Sequence, residues 1–62
     1  MNLRKIKDHV QAMAEFRKGK VVVLEKGDWH YFIYPGEDDA QYISMKKAKW
    51  GDAITAYYVE EK

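Results

Sequence analysis

Apolar and polar positions change their period at Gly19. Before it, Leu3, Ile6, Val10, Met13 and Ala14 recur at steps of three and four residues, with Phe16 close to the same stripe. That is the period of one helix face, and Arg4, Lys5, Asp8, Gln11, Glu15 and Lys18 fall mostly on the opposite side. The spacing predicts an amphipathic helix over 3–18, stopped by Gly19 after Arg17 and Lys18, whose charges suit a helix C-terminus. Two starts compete. Asn2 could cap the helix, but Arg4, Lys5 and Lys7 would oppose the dipole there. Asp8 with Gln11 three residues on makes a later start of capping-box type.

From Lys20 onward the pattern is that of strands. Residues 20–26 are rich in β-branched side chains and residues 29–34 in aromatic ones, with Gly27-Asp28 between them as a two-residue hairpin loop. A loop that tight sets Lys26 opposite Trp29, Leu24 opposite Tyr31 and Val22 opposite Ile33 on one face. Glu25, Val23 and Val21 then face His30, Phe32 and Tyr34 on the other. Pro35-Gly36 reads as a turn, extended by the acidic Glu37-Asp38-Asp39. Residues 40–45 read as a third strand, with Ile43 and Met45 on one face, and residues 54–60 as a fourth. Between them, Lys46–Asp52 fits either one helical turn capped by Ser44 and stopped by Gly51, or an irregular loop. A rival reading makes Asp52 the cap of a C-terminal helix with Ile54, Tyr57 and Tyr58 inward.

These elements predict an α+β chain forming one domain over 1–62: an N-terminal amphipathic helix packed on a small antiparallel sheet of three to four strands, with curling into a partial barrel as one form. Ile6, Val10, Met13, Phe16, Val22, Leu24, Ile33, Ile43 and Ile54, with one or both Trp, supply the expected core. The hairpin poses a problem for this plan. It is apolar on both faces, where a sheet with one wet face should alternate. Three explanations stand: the sheet curls, the second face binds a protein, or it offers rings for stacking on unpaired bases.

Composition sharpens that picture. Aromatic residues make up 15% of only 62, and no cysteine is present. A domain of this size buries only about 60% of the surface its unfolded chain exposes, so large aromatic side chains substitute for staples it lacks. The formal net charge of +1 conceals segregation. Residues 1–20 and 41–50 are basic, while 21–40 and 51–62 are acidic. A chain so near neutrality lacks the excess expected of a strong nucleic-acid binder. The longest apolar runs, Val21–Leu24 and Tyr31–Tyr34, fall far short of the ~20 residues that span a bilayer, so a soluble, cytoplasmic chain without membrane contact is expected.

Little chemistry is on offer. Zinc needs three or four converging ligands, and His9 and His30 lie on different elements. Glu37, Asp38 and Asp39 lack the alternating ligand pattern of a calcium loop. Ser44 and Thr55 are the only hydroxyl nucleophiles of their kind, with no elbow motif around either. His30 opposite Glu25 resembles an acid–base pair, but a cross-strand ion pair explains it equally well. The four glycines fall one per junction, not clustered as in a phosphate-binding loop. No cofactor, metal or catalysis is expected.

What the pattern favours is a non-catalytic protein-binding module, a small regulator or inhibitor of the kind phages and mobile elements encode. It would act through an aromatic hairpin face anchored by Trp29, Tyr31, Ile33 and Tyr57, with a homodimer as one form. The alternative is single-stranded nucleic-acid binding through Lys46, Lys47, Lys49 and Trp50, where three lysines and an indole fall within five residues.

Overall fold

A computed structural model describes residues 2–61 of the chain. Four strands and two helices follow in the order β1 (Asn2–Ile6), α1 (His9–Arg17), β2 (Val22–Lys26), β3 (Trp29–Ile33), α2 (Gln41–Trp50) and β4 (Ile54–Glu61), with a 3₁₀ turn over Gly51–Ala53. The class is α+β with an antiparallel four-stranded sheet, in the spatial order β1-β4-β2-β3. Because β4 runs antiparallel to both β1 and β2, those two run parallel to each other with β4 between them. In the same way β3 and β4 flank β2. Each helix therefore belongs to a β-α-β unit into which a third strand is inserted. The sheet stays open, with β1 and β3 as its edges.

Three expectations are corrected. The helix is not N-terminal: the segment expected as its first turn is β1, paired with β4 from Asn2–Glu61 to Ile6–Tyr57. Arg4 and Lys5, poorly placed at a helix N-terminus, are well placed on an edge strand, where charge discourages unwanted pairing. The helix instead takes the later start. Asp8 accepts a hydrogen bond from the Gln11 N–H at 3.0 Å, and the Gln11 side chain accepts one from the Lys7 N–H at 3.1 Å. Val10, expected in the core, is 64% exposed on this shorter helix.

The second correction concerns residues 40–45, which open α2 rather than forming a strand. Asp39 accepts from the Gln41 N–H at 3.0 Å. The acidic run ahead of the helix and Lys47 and Lys49 in its last turn both complement the dipole. Gly51, at φ 51°, ends it. Helical spacing separates two residues that a strand would have put on one face: Ile43 is fully buried and Met45 is 62% exposed. Third, the sheet does not close into a barrel. β4 is a strand as expected, and its pairing rules out the C-terminal helix.

Both helices cover one face of the sheet. Ala12 and Phe16 of α1 and Ile43 of α2 join Ile6, Val22, Leu24, Ile33, Ile54, Tyr57 and Val59 in one cluster. A bulge keeps β4 in step with it. Glu25 pairs with Ala56 but Lys26 with Ile54, leaving Thr55 unopposed. That extra residue rotates Ile54 onto the helix-covered face, and the Thr55 hydroxyl lies 2.8 Å from Glu25 Oε1.

At one end of the sheet, charges tie distant elements together. Glu15 of α1, nearly buried, pairs with Lys20 at 3.1 Å, Lys18 at 3.4 Å and Arg4 of β1 at 3.5 Å. Arg4 and Lys20 also pair with Glu61 of β4. The Lys20 hydrogen bond holds the Glu15 carboxyl below the ordinary carboxylate range, and the Arg4 hydrogen bond does the same for Glu61. No helix of the described residues is long and apolar enough to cross a membrane.

Two outcomes test this account. Ile43→Ala should cost about 2–5 kcal/mol in urea unfolding, while Met45→Ala stays within about 0.5 kcal/mol. Equal losses would return residues 40–45 to a strand. Carboxyls with depressed folded-state values contribute stability that is present at neutral pH and lost as pH falls through those values. The urea midpoint should therefore drop on acidification below the ordinary glutamate range, and Glu15→Gln should flatten that dependence.

Candidate functional site

The β2–β3 hairpin carries the expected register, from Lys26–Trp29 to Val22–Ile33. Gly27 has φ 60° and, among the described residues, no non-glycine residue has a positive φ, which is the signature of a type II′ loop with glycine first. The turn fixes which backbone groups face outward. Facing residues alternate between pairs that exchange both hydrogen bonds and pairs that exchange none. With Lys26 and Trp29 closing the loop, His30 and Phe32 point their N–H and C=O groups away from β2. Tyr34 continues that series, but its N–H already donates to Asp38 Oδ2 at 3.3 Å. The free edge thus extends over Trp29–Ile33 and is closed by the acidic loop.

The two edges of the sheet differ in kind. β1 presents Arg4 and Lys5, whereas β3 has no Lys, Arg, Asp or Glu. Four of its five residues are nonetheless exposed, Trp29 at 71% and Phe32 at 41%. Its side chains divide between the two faces. Trp29 and Tyr31 lie on the helix side, while His30 and Phe32, followed by Tyr34, lie on the uncovered side. There Phe32 and Tyr34 stack with ring centroids 6.4 Å apart, and His30 Nε2 lies 3.3 Å from Glu25 Oε2.

On the helix side, the basic end of α2 meets Trp29 and Tyr31. Tyr31 and Trp50 sit with ring centroids 4.7 Å apart. The Lys46 ammonium lies 4.6 Å from the Trp50 ring, 5.4 Å from Tyr31 and 5.0 Å from Tyr42, and Lys26 lies 5.2 Å from Trp50. At such separations a cation is held by the ring quadrupole. Lys26, Trp29, Tyr31, Lys46, Lys49 and Trp50 together line an open cleft of about 330 Å³.

The residues singled out from sequence are redistributed by this geometry. Trp29 and Tyr31 join Lys46, Lys49 and Trp50 in the same cleft, so residues assigned to two alternative functions share one surface. Lys47, a residue further round the helix, does not line it. Ile33 is fully buried and Tyr57 nearly so, both in the core cluster. The Tyr57 hydroxyl has no hydrogen-bond partner among the described residues, and burial raises its pKa, with Asp8 adding to the effect. Lys26, Phe32 and Tyr34 also belong to the surface of this hairpin. The hairpin alternation already placed the two aromatics on a common face, but nothing local linked Lys26 to Trp50.

A larger depression of about 620 Å³ opens between Lys20, Tyr34, Glu37 and Glu61, where Lys20 and Glu61 are engaged in the ion pairs described above. No group of three His, Cys, Asp or Glu residues converges among the described residues. Comparison with family models, with curated proteins and with solved structures gave no match.

If Tyr57 serves the core alone, Tyr57→Phe removes an unpartnered buried hydroxyl without changing the packing of the ring. It should raise stability by up to about 1 kcal/mol, read from the urea midpoint. A clear loss of stability would show that the hydroxyl has a partner in solution.

Proposed function

We propose that this chain is a non-catalytic protein-binding module that receives an extended segment of its partner along the free edge of β3. It acts as a small regulator by recruiting or occluding that partner. The observation carrying this reading is an edge strand left uncharged and aromatic beside an opposite edge guarded by Arg4 and Lys5. Sheets normally protect both edges, because an open, apolar edge is a template for another strand. Strand addition is a recurring mode of recognition in which the main chain supplies affinity and alternate side chains supply specificity.

Magnitudes decide what must carry the binding. The outward groups of His30 and Phe32 provide four main-chain hydrogen bonds, at about 1 kcal/mol net each. Association costs at least ~4 kcal/mol in lost freedom, so the ladder alone does little more than break even. The surplus comes from Trp29 and Tyr31 on one face and Phe32 on the other. Aromatic anchors of this kind contribute ~2 kcal/mol or more when centrally placed.

A second reading has a specific observation in its favour. Three lysines and three aromatic rings line one cleft, the combination that grips single-stranded nucleic acid through phosphate contacts and base stacking. Two features weigh against it. The Trp50 ring is already engaged by Lys26 and Lys46, and a polyanion following β3 would meet Glu37, Asp38 and Asp39 at its far end.

Selection from a displayed library of short extended segments tests the primary reading, with His30→Pro as the counter-selected protein. Proline at that position removes an outward N–H and leaves the ladder to β2 intact. Enriched segments should bind the wild type, lose at least ~30-fold with Trp29→Ala, and fail on His30→Pro. Segments that bind His30→Pro equally well, or no enrichment at all, would overturn strand docking. An oligothymidylate that binds at low salt more tightly than any enriched segment would favour the nucleic-acid reading.

A further inference from the structure

The β3 edge is complementary to itself, and we propose that its occupant is β3 of a second copy, joined about a two-fold axis at Tyr31 into one continuous eight-stranded sheet. This rests on the strand-docking reading and adds the identity and register of the partner.

The hydrogen-bonding pattern selects the register. An antiparallel pairing needs outward-facing residues opposite each other. Centring the axis on Tyr31 sets His30 against Phe32 of the second copy and Phe32 against His30, so that both outward residues of each strand are used. Trp29 then faces Ile33 of the second copy, and β3 overlaps along its whole length. Centring on His30 or Phe32 instead leaves one outward residue of each copy beyond the end of the other's strand.

Charge points the same way. The structure places Lys26, Lys46 and Lys49 beside the first residue of β3, and Glu37, Asp38 and Asp39 follow its last. The acidic end is tied to the strand by Asp38, whose carboxylate accepts a hydrogen bond from the Tyr34 N–H. An antiparallel copy brings its lysine end to the acidic end of the first, and the two-fold repeats the contact. A parallel copy would set lysines against lysines. Pairing through β1 would bring Arg4 and Lys5 against their own kind. The edge with opposite charges at its two ends is thus the one left open.

The contact is small. Five residues a side fall below the ~800 Å² per partner of a standard interface, so the dimer is weak and concentration-dependent, and salt loosens it.

The experiment combines sedimentation equilibrium with cysteine cross-linking, which the natural absence of cysteine makes clean. Tyr31 would face its own copy across the axis as a pair without hydrogen bonds, with Cα atoms about 4.5 Å apart. That lies within the range a disulfide can bridge. Tyr31→Cys should therefore form a covalent dimer under mild oxidation, and Leu3→Cys, exposed on β1, should not. In the cysteine-free protein, sedimentation should show a dimer that weakens roughly fivefold on Lys46→Gln with Lys49→Gln, the effect of a few exposed ion pairs. His30→Pro should be a monomer. A wild type that stays monomeric up to about 1 mM overturns this inference, and strand docking stands or falls separately on the library selection. A dimer that cross-links through Leu3→Cys and not Tyr31→Cys uses another surface, and equal cross-linking by both reports collision; either result overturns it.

Discussion

The whole sheet depends on the pairing of β4 with β1 on one side and β2 on the other. The last strand in the chain occupies an inner position, so neither β1 nor the hairpin is joined to the other without it. Its bulge at Thr55 settles which of its residues face the helices, since a shift of one residue would exchange the two faces. The Arg4, Glu15, Lys20 and Glu61 ion pairs reinforce the same join at the far end. Contacts of such long sequence separation require closing a loop across nearly the whole chain before they form. Helix α1 and the hairpin, by contrast, are built from local contacts.

Placing both helices on one face resolves how so short a chain manages a hairpin apolar on two. Val22, Leu24 and Ile33 face the helices and form the core. Val23 is also fully buried, although it faces away from the helices, with Tyr58 on one neighbouring strand and Phe32 on the other. Large aromatic side chains flank a small one, and this limits the water that reaches an uncovered sheet. What remains exposed is concentrated at β3, where rings stand on both faces of the same edge strand. The same placement brings Lys46 and Lys49 of α2 to the start of β3, while the acidic run follows its last residue.

Much of the hairpin could be read without coordinates. Gly27-Asp28 and the runs flanking it specify loop type, register and the alternation that separates Tyr31 from Phe32. Asp8 and Gln11 likewise mark where α1 begins. The misreadings share a cause. Leu3 and Ile6 are spaced as on a helix face, but their environment is set by Glu60 and Tyr57, more than fifty residues away. Residues 40–45 contain β-branched and aromatic side chains at a density that favours strands. The acidic run before them and the lysines and Gly51 after them are helix signals of a few tenths of a kcal/mol each, and the burial of Ile43 against both α1 and the sheet tips the balance.

Sequence alone determined the α+β class and the hairpin with its register, and favoured the last strand over a rival helix, because turn geometry and side-chain alternation are local properties. Tertiary structure decided which hairpin face is core, which strand is an edge, and that Trp29 and Tyr31 share a cleft with Lys46, Lys49 and Trp50. Those outcomes depend on strand order and on the side from which helices pack, and both are decided by non-local pairing through β4. Ile33 and Tyr57 show the difference most directly. Their types suit a binding surface as well as a core, and only the arrival of the helices on their side of the sheet made them core.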